Sequence, residues 1–109
     1  MKTESMARLL TIYINSADHY RGAPLFAAIV HLCHERGIAG ATVFRAMEGY
    51  GSSGHIHTTR LLELGENLPV RIEIIDTPER IESILPLLDG MIAQGLVTLS
   101  DVKVRQYKC

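Results

Sequence analysis

Leu68-Pro69-Val70-Arg71-Ile72-Glu73-Ile74-Ile75-Asp76-Thr77-Pro78-Glu79 holds a strand and the start of a helix side by side. Val70, Ile72 and Ile74 alternate with Arg71, Glu73 and Ile75, the clearest period of two in the chain and the mark of a strand with one buried face. The pattern then breaks at a helix start. Thr77 is suited to the N-cap, Pro78 to the first helical position, and Glu79 to the positive helix end. Downstream, Ile81, Ile84, Leu85, Leu88, Met91 and Ile92 form an apolar stripe that Gly95 closes. Pro86 lies inside that stripe, which predicts a kink or a helix broken in two. Val97 and Leu99, then Val102 and Val104 alternating with Lys103 and Arg105, predict a last strand or strand pair.

The N-terminal half has the same grammar. Leu9 to Asn15 alternates as a first strand, and the polar turn 16–22 follows. A helix with Pro24 in its first turn carries Leu25, Phe26, Ile29, Val30 and Cys33 on one side, and Gly37 is its C-terminal cap. Ala41 to Met47 is the second strand. A third strand is expected to begin near Ile56 or later, interrupted at 65–69 by a bulge or bend.

Strand, helix, strand, strand, helix, strand is the order of an α+β ferredoxin-like βαββαβ sandwich, an antiparallel sheet with two helices on one face. The helices are expected over Ile12, Ile14, Val70, Ile72, Ile74, Val102 and Val104. Thr11, Tyr13, Arg71, Glu73, Lys103 and Arg105 would line the opposite face.

At 109 residues the chain reads as a single domain, 1–109, with residues 1–8 a flexible N-terminus. Hydrophobic residues at 47%, charged residues at 21% and a net charge of −1 are those of an ordinary globular domain. Such a balance gives no global attraction to nucleic acid or anionic lipid. No stretch has the length of a membrane span or a signal peptide, so a cytoplasmic setting is expected. Cys33 and Cys109 form no disulfide framework and have no metal or redox spacing.

Between the second and third strands runs Arg45-Ala-Met-Glu-Gly-Tyr-Gly-Ser-Ser-Gly-His-Ile-His-Thr-Thr-Arg60. Its glycines, Gly49, Gly51 and Gly54, free backbone N–H groups to approach a ligand, and an arginine stands at each end. Together these make a candidate anion-binding concavity; the plain alternative is an exposed hairpin loop without a ligand. No Gly-Lys-Ser/Thr follows the glycines, so the segment is not a Walker A motif. His55 and His57, two apart, share a strand side and amount to half a transition-metal site, with Glu48 or another chain to complete it. Two ligands fall short of the usual three or four, and hydrogen bonding or solvation is the simpler role. Ser52 and Ser53 near the histidines imitate a nucleophile and base, but no carboxylate is indicated to orient a histidine. No catalytic residue is assigned.

The sequence resembles the PII-like family of small bacterial and archaeal proteins classed as a domain of unknown function. The likeness rests on Ala39-Gly40-Ala41-Thr42-Val43-Phe44-Arg45, Glu48-Gly49-Tyr50-Gly51, Ile56-His57-Thr58 and Asn67-Leu68-Pro69-Val70. Ile84-Leu85-Pro86 and Gly95-Leu96-Val97-Thr98 extend it, so it runs from about Leu9 to Tyr107. Ala46 and Gly65 depart from the glycine and serine usual in the family. The resemblance implies a homotrimer in signal transduction, with an adenine nucleotide (ADP, ATP or AMP type) in the clefts between subunits. The 49–58 loop would be its effector element. The implied nucleotide-binding residues are Arg45, Gly49, Tyr50, Gly51, His57, Thr58, Arg60 and Arg105, the last from a neighbouring copy. Implied partners are membrane transport proteins, small ion channels such as fluoride exporters among them, and no covalent cofactor is implied. The rivals are a metal-responsive trimer using His55 and His57, similar in architecture to copper-tolerance relatives, and a small ferredoxin-like enzyme with His57 as general base. Slow nucleotide hydrolysis stays open.

Overall fold

The computed structural model describes residues 1–50, the backbone of 57–58, and residues 67–109. Its main sheet has four antiparallel strands: β1 (Lys2–Asn15), β4 (Ala41–Arg45), β7 (Pro69–Asp76) and β8 (Leu96–Tyr107), in the order β4-β7-β1-β8. Helices α1 (Leu25–Glu35) and α2 (Pro78–Asp89) pack on one face. This is the ferredoxin-like α+β sandwich expected from the sequence. Two small ladders accompany it, β2 (His19–Tyr20) with β3 (Ala23–Pro24), and β5 (Glu48–Gly49) with β6 (His57–Thr58).

The core draws evenly on four elements. Leu10, Ile12 and Ile14 come from β1, and Val70, Ile72 and Ile74 from β7. Leu25, Ile29 and Cys33 come from α1, and Ile81, Ile84 and Leu88 from α2. A spacing of two in the strands and of three or four in the helices turns each set toward one layer, which is why these segments fold as they do. Thr77 caps α2 by accepting from the Arg80 N–H at 3.3 Å, with Pro78 in the first turn. At the end of α1, Gly37 takes φ +72° and its N–H donates to the His34 carbonyl, while the Ile38 N–H donates to that of Cys33. Those two bonds are a Schellman cap, which requires a left-handed residue at Gly37. Asp76, buried at the end of β7, accepts from the Ala39 and Thr77 N–H groups at 2.9 and 2.7 Å.

Several expectations are corrected. The first strand starts at Lys2 rather than Leu9, so residues expected to be a flexible N-terminus are paired with β8 from Lys2↔Tyr107 onward. The turn 16–22 contains half of a small hairpin, whose central Arg21 and Gly22 both have positive φ, as a tight primed turn demands. Pro24 caps α1 instead of entering it. The second strand stops at Arg45, and the start expected for the third near Ile56 lies outside the described residues. Helix α2 runs through Pro86 unbroken and ends at Asp89 with Gly90 as its cap, which leaves Met91 and Ile92 beyond it, half-buried against the core.

The largest correction concerns the faces of β8. Pairing of Leu10 with Leu99 and Ile12 with Val97 puts Val97, Leu99 and Asp101 on the helix-bearing face. Val102 and Val104, opposite Ala7 and Ser5, therefore belong to the face without helices, and Lys103 and Arg105 to the other. A register offset of one residue inverts every side chain of a strand.

The helix-free face shows Tyr13, Phe44, Ile75 and Leu96 exposed. Tyr13, Arg71 and Phe44 stand in one row across β1, β7 and β4. The Arg71 guanidinium lies 4.5 Å from the Phe44 ring centre, and its Nε is 3.4 Å from Glu73 Oε2.

Candidate functional site

One end of the sheet gathers the finish of β1 and β4 and the start of β7 and β8, and the glycine-rich segment leaves from there. β4 delivers Arg45 opposite Val70, and the Ala46 N–H then donates to the Pro69 carbonyl at 2.9 Å, one step beyond the strand. The chain next enters the ladder in which Glu48 pairs with Thr58 and Gly49 with His57. That ladder is a neck: it brings both limbs of the loop together at its base.

Gly49 holds the neck against the sheet. A Cβ there would lie 3.3 Å from Pro69 Cγ, closer than ordinary contact, so the limb rests on the first residue of β7 because it has no side chain. Pro69 is itself held in place from the other side. Leu68, fully buried, donates its N–H to Ser16 Oγ at 2.9 Å, and its carbonyl accepts from the Ser16 N–H at 2.8 Å. An Asx turn braces this connection, with the Ala17 N–H donating to Asn15 Oδ1 at 2.8 Å and the Asn15 N–H donating to Asp18 Oδ2 at 3.0 Å. The loop therefore stands on a base fixed by β1, β4 and β7.

Of the residues singled out from the sequence, Arg45, Gly49, Tyr50, His57 and Thr58 come together at this base. Arg45 and Tyr50 are exposed, and for His57 and Thr58 the backbone alone is described. Gly51, Arg60 and His55 lie outside the described residues. Arg105 is not part of this end of the same chain. It pairs with Glu4, whereas Arg45 aligns through Val70 with Ile14, ten residues along β1. At ~3.3 Å per residue that is about 33 Å. Among the described residues no three of His, Cys, Asp and Glu converge as a metal-ligand set.

Sequence reasoning missed the Ser16–Leu68 latch and the seat on Pro69. The first depends on residues 52 apart and had no local signal. The second was foreshadowed by a glycine where the limb had to pass a proline ring.

Residues 7–104 match the family model described as DUF190, Uncharacterized ACR, COG1993. The chain belongs to the DUF190 family. A UPF0166 protein of Aquifex aeolicus (strain VF5) is 40% identical over 97 residues, covering 89% of this chain and 91% of its own. The UPF0166 protein MJ1524 of Methanocaldococcus jannaschii is 35% identical over 99 residues, covering 90% and 91%. Among solved structures, CPII from Thiomonas intermedia K12, a nitrogen regulatory PII-like protein, superposes with a TM-score of 0.62 at 21% identity. The match covers 94% of this chain and 91% of CPII, whose structure is bound to ADP, AMP and bicarbonate. This DUF190 chain thus has a PII-like fold. No helix among its described residues is long and apolar enough to cross a membrane.

Proposed function

We propose that this chain is a PII-like regulatory protein that binds an adenine nucleotide at the neck of the 49–58 loop, in clefts between the copies of a homotrimer. The observation that carries this reading is the neck itself, two paired limbs seated on Pro69 with Arg45 at the foot of one of them. A glycine-rich segment rising from a fixed base offers backbone N–H groups to phosphate oxygens, and arginine adds charge-assisted bonds. Nucleotide binding by CPII, which shares the fold, supports the same class of ligand here.

In this reading Gly49, Tyr50, Gly51, His57, Thr58 and Arg60 join Arg45 around the nucleotide, and a neighbouring copy supplies Arg105. The exposed apolar residues of the helix-free face, Tyr13, Phe44, Ile75 and Leu96, are the surface that subunit contact would bury. Occupancy of the cleft biases the loop between two arrangements, and the loop presents or withholds a surface to a cytoplasmic segment of a membrane transport protein. The role is regulatory and not catalytic.

Calorimetric titration with ATP, ADP, AMP and cyclic AMP, with and without magnesium, tests the reading. The expected result is about one nucleotide per chain, weakened roughly tenfold or more by Arg45→Ala, the worth of a hydrogen bond to a charged group. Arg60→Ala should act in the same direction. No heat from any of the four on an assembled protein removes the adenine reading.

A further inference from the structure

The hairpin of β2 and β3 stands beside the neck and has no part in nucleotide binding as proposed above. β1 enters it through Ser16, which holds Leu68, and the neck rests on Pro69, the next residue. β7 lies between β1 and β4, so the roots of hairpin and neck are two strand spacings apart, about 10 Å. Both leave the same end of the sheet from one shared base.

The hairpin turns at Arg21 and Gly22, with φ +50° and +83°. A two-residue turn with both centres left-handed favours Asn-Gly or Gly-Gly, because a Cβ in that region crowds the following carbonyl. An arginine at the first centre is the costlier choice. Nothing in the fold offsets it with an ion pair. Arg8, Arg71, Arg80 and Arg105 each have a carboxylate partner, whereas among the described residues Arg21, Arg36 and Arg45 have none. Arg36 caps α1 at the opposite end of the sheet, where the Ala39 N–H meets Asp76. Arg45 stands at the foot of the neck. Arg21, exposed, therefore sits at the loop end with neither a carboxylate nor a place in the nucleotide cleft. Its guanidinium is held 5.1 Å from the centre of the Tyr20 ring, and Tyr20 packs against the core. The hairpin's own carboxylate, Asp18, is taken by the Asn15 N–H.

We infer that this hairpin is a second docking point beside the 49–58 loop, where Arg21 takes a carboxylate from an acidic segment of the protein partner. The inference rests on the partner in the function proposed above and adds a contact to it. A carboxylate is the matching group because the guanidinium fork binds one through two parallel hydrogen bonds. A protein segment is the occupant, since recognition of anionic lipid takes clusters of about four to eight basic residues and this hairpin carries one arginine. About three extended residues span the distance from hairpin to neck, so one short acidic segment reaches both.

Fluorescence anisotropy of a labelled decaglutamate peptide with the full chain, at about 20 mM salt, tests this. Arg21→Asn, which suits the turn better, should weaken peptide binding about fivefold and melt no lower than the parent. Arg36→Asn removes the same charge at the opposite end and should leave peptide binding within about twofold of the parent. Equal losses from the two variants would reduce the effect to net charge and overturn the docking point. So would a wild type that leaves the peptide free, or one that binds phosphatidylserine vesicles in its place. An Arg21→Asn protein that melts lower yet binds the peptide unchanged would make the arginine a residue of the fold and overturn the docking point as well. Nucleotide binding is read separately by calorimetry, where Arg21→Asn should match the parent. A wild type that binds the peptide but no nucleotide would remove the adenine reading and leave the docking point standing.

Discussion

Gly95→Ala is expected to destabilise the fold by crowding, at a point where the backbone of two strands nearly touches. Gly95 leads into β8 next to Leu96, which pairs with Tyr13. A Cβ on Gly95 would stand 2.8 Å from the Tyr13 carbonyl oxygen, 3.0 Å from Ile14 Cγ2 and 3.3 Å from Ile92 Cγ2. The nearest of these is backbone in the middle of a sheet and cannot rotate aside. Either β8 shifts at its entry, or the Leu96–Tyr13 pair opens. Overpacking of this kind costs about 1–3 kcal/mol. Loss of glycine's freedom in the unfolded chain returns roughly 0.5 kcal/mol, leaving a net cost of about 1–2 kcal/mol. At roughly 4–8 °C per kcal/mol for a domain near this size, the melting temperature should fall by about 5–15 °C. The assay is thermal unfolding followed by circular dichroism, with parent and variants compared at one protein concentration. Gly40→Ala is the control: nothing lies within 4 Å of its added carbon, so only the roughly 0.5 kcal/mol gain remains and its midpoint should rise by about 2–4 °C. A Gly95→Ala protein melting within 1 °C of the parent would refute the reasoning, since the entry of β8 would then move at no cost.

Thr77→Ala removes the side-chain acceptor for the Arg80 N–H and should cost about 1 kcal/mol, read in urea unfolding; Thr77→Ser should recover most of it. Ile12→Ala, at a fully buried position in the middle of β1, should cost about 2–5 kcal/mol by the same measurement, and a smaller loss would mean that the core collapses around the gap. At pH 8 a thiol reagent should label Cys109 at once and Cys33 only on unfolding, because burial pushes the Cys33 thiol up from 9.0 to about 11. Since the folded state holds that proton more tightly, the stability it contributes is complete below pH 9 and is lost as pH rises toward 11. Replacing Cys33 by Ala should flatten that alkaline decline.

How much of this molecule could be read in its sequence follows the range of the signals involved. The strand 70–74, the capped start of α2 and the end of α1 at Gly37 are local patterns, complete within a few residues, and each stands where expected. The glycine segment draws attention as a candidate in the sequence because its arginines and glycines fall within sixteen residues, 45–60. Its seat was not legible, because Ser16 meets Leu68, and Gly49 meets Pro69, only once three strands are paired. The faces of β8 failed for a related reason. Val102 and Val104 look like core residues in isolation, and two branched apolar side chains are a sound argument for burial. Register is decided upstream, where Leu99 and Val97 oppose Leu10 and Ile12, and a strand without a bulge must carry that phase to its end. With the phase fixed, Val102 and Val104 fall on a face that neither α1 nor α2 covers, and they remain half-buried. A local apolar pattern tells which residues of a strand share a side, and only the register of the paired strands decides which side that is.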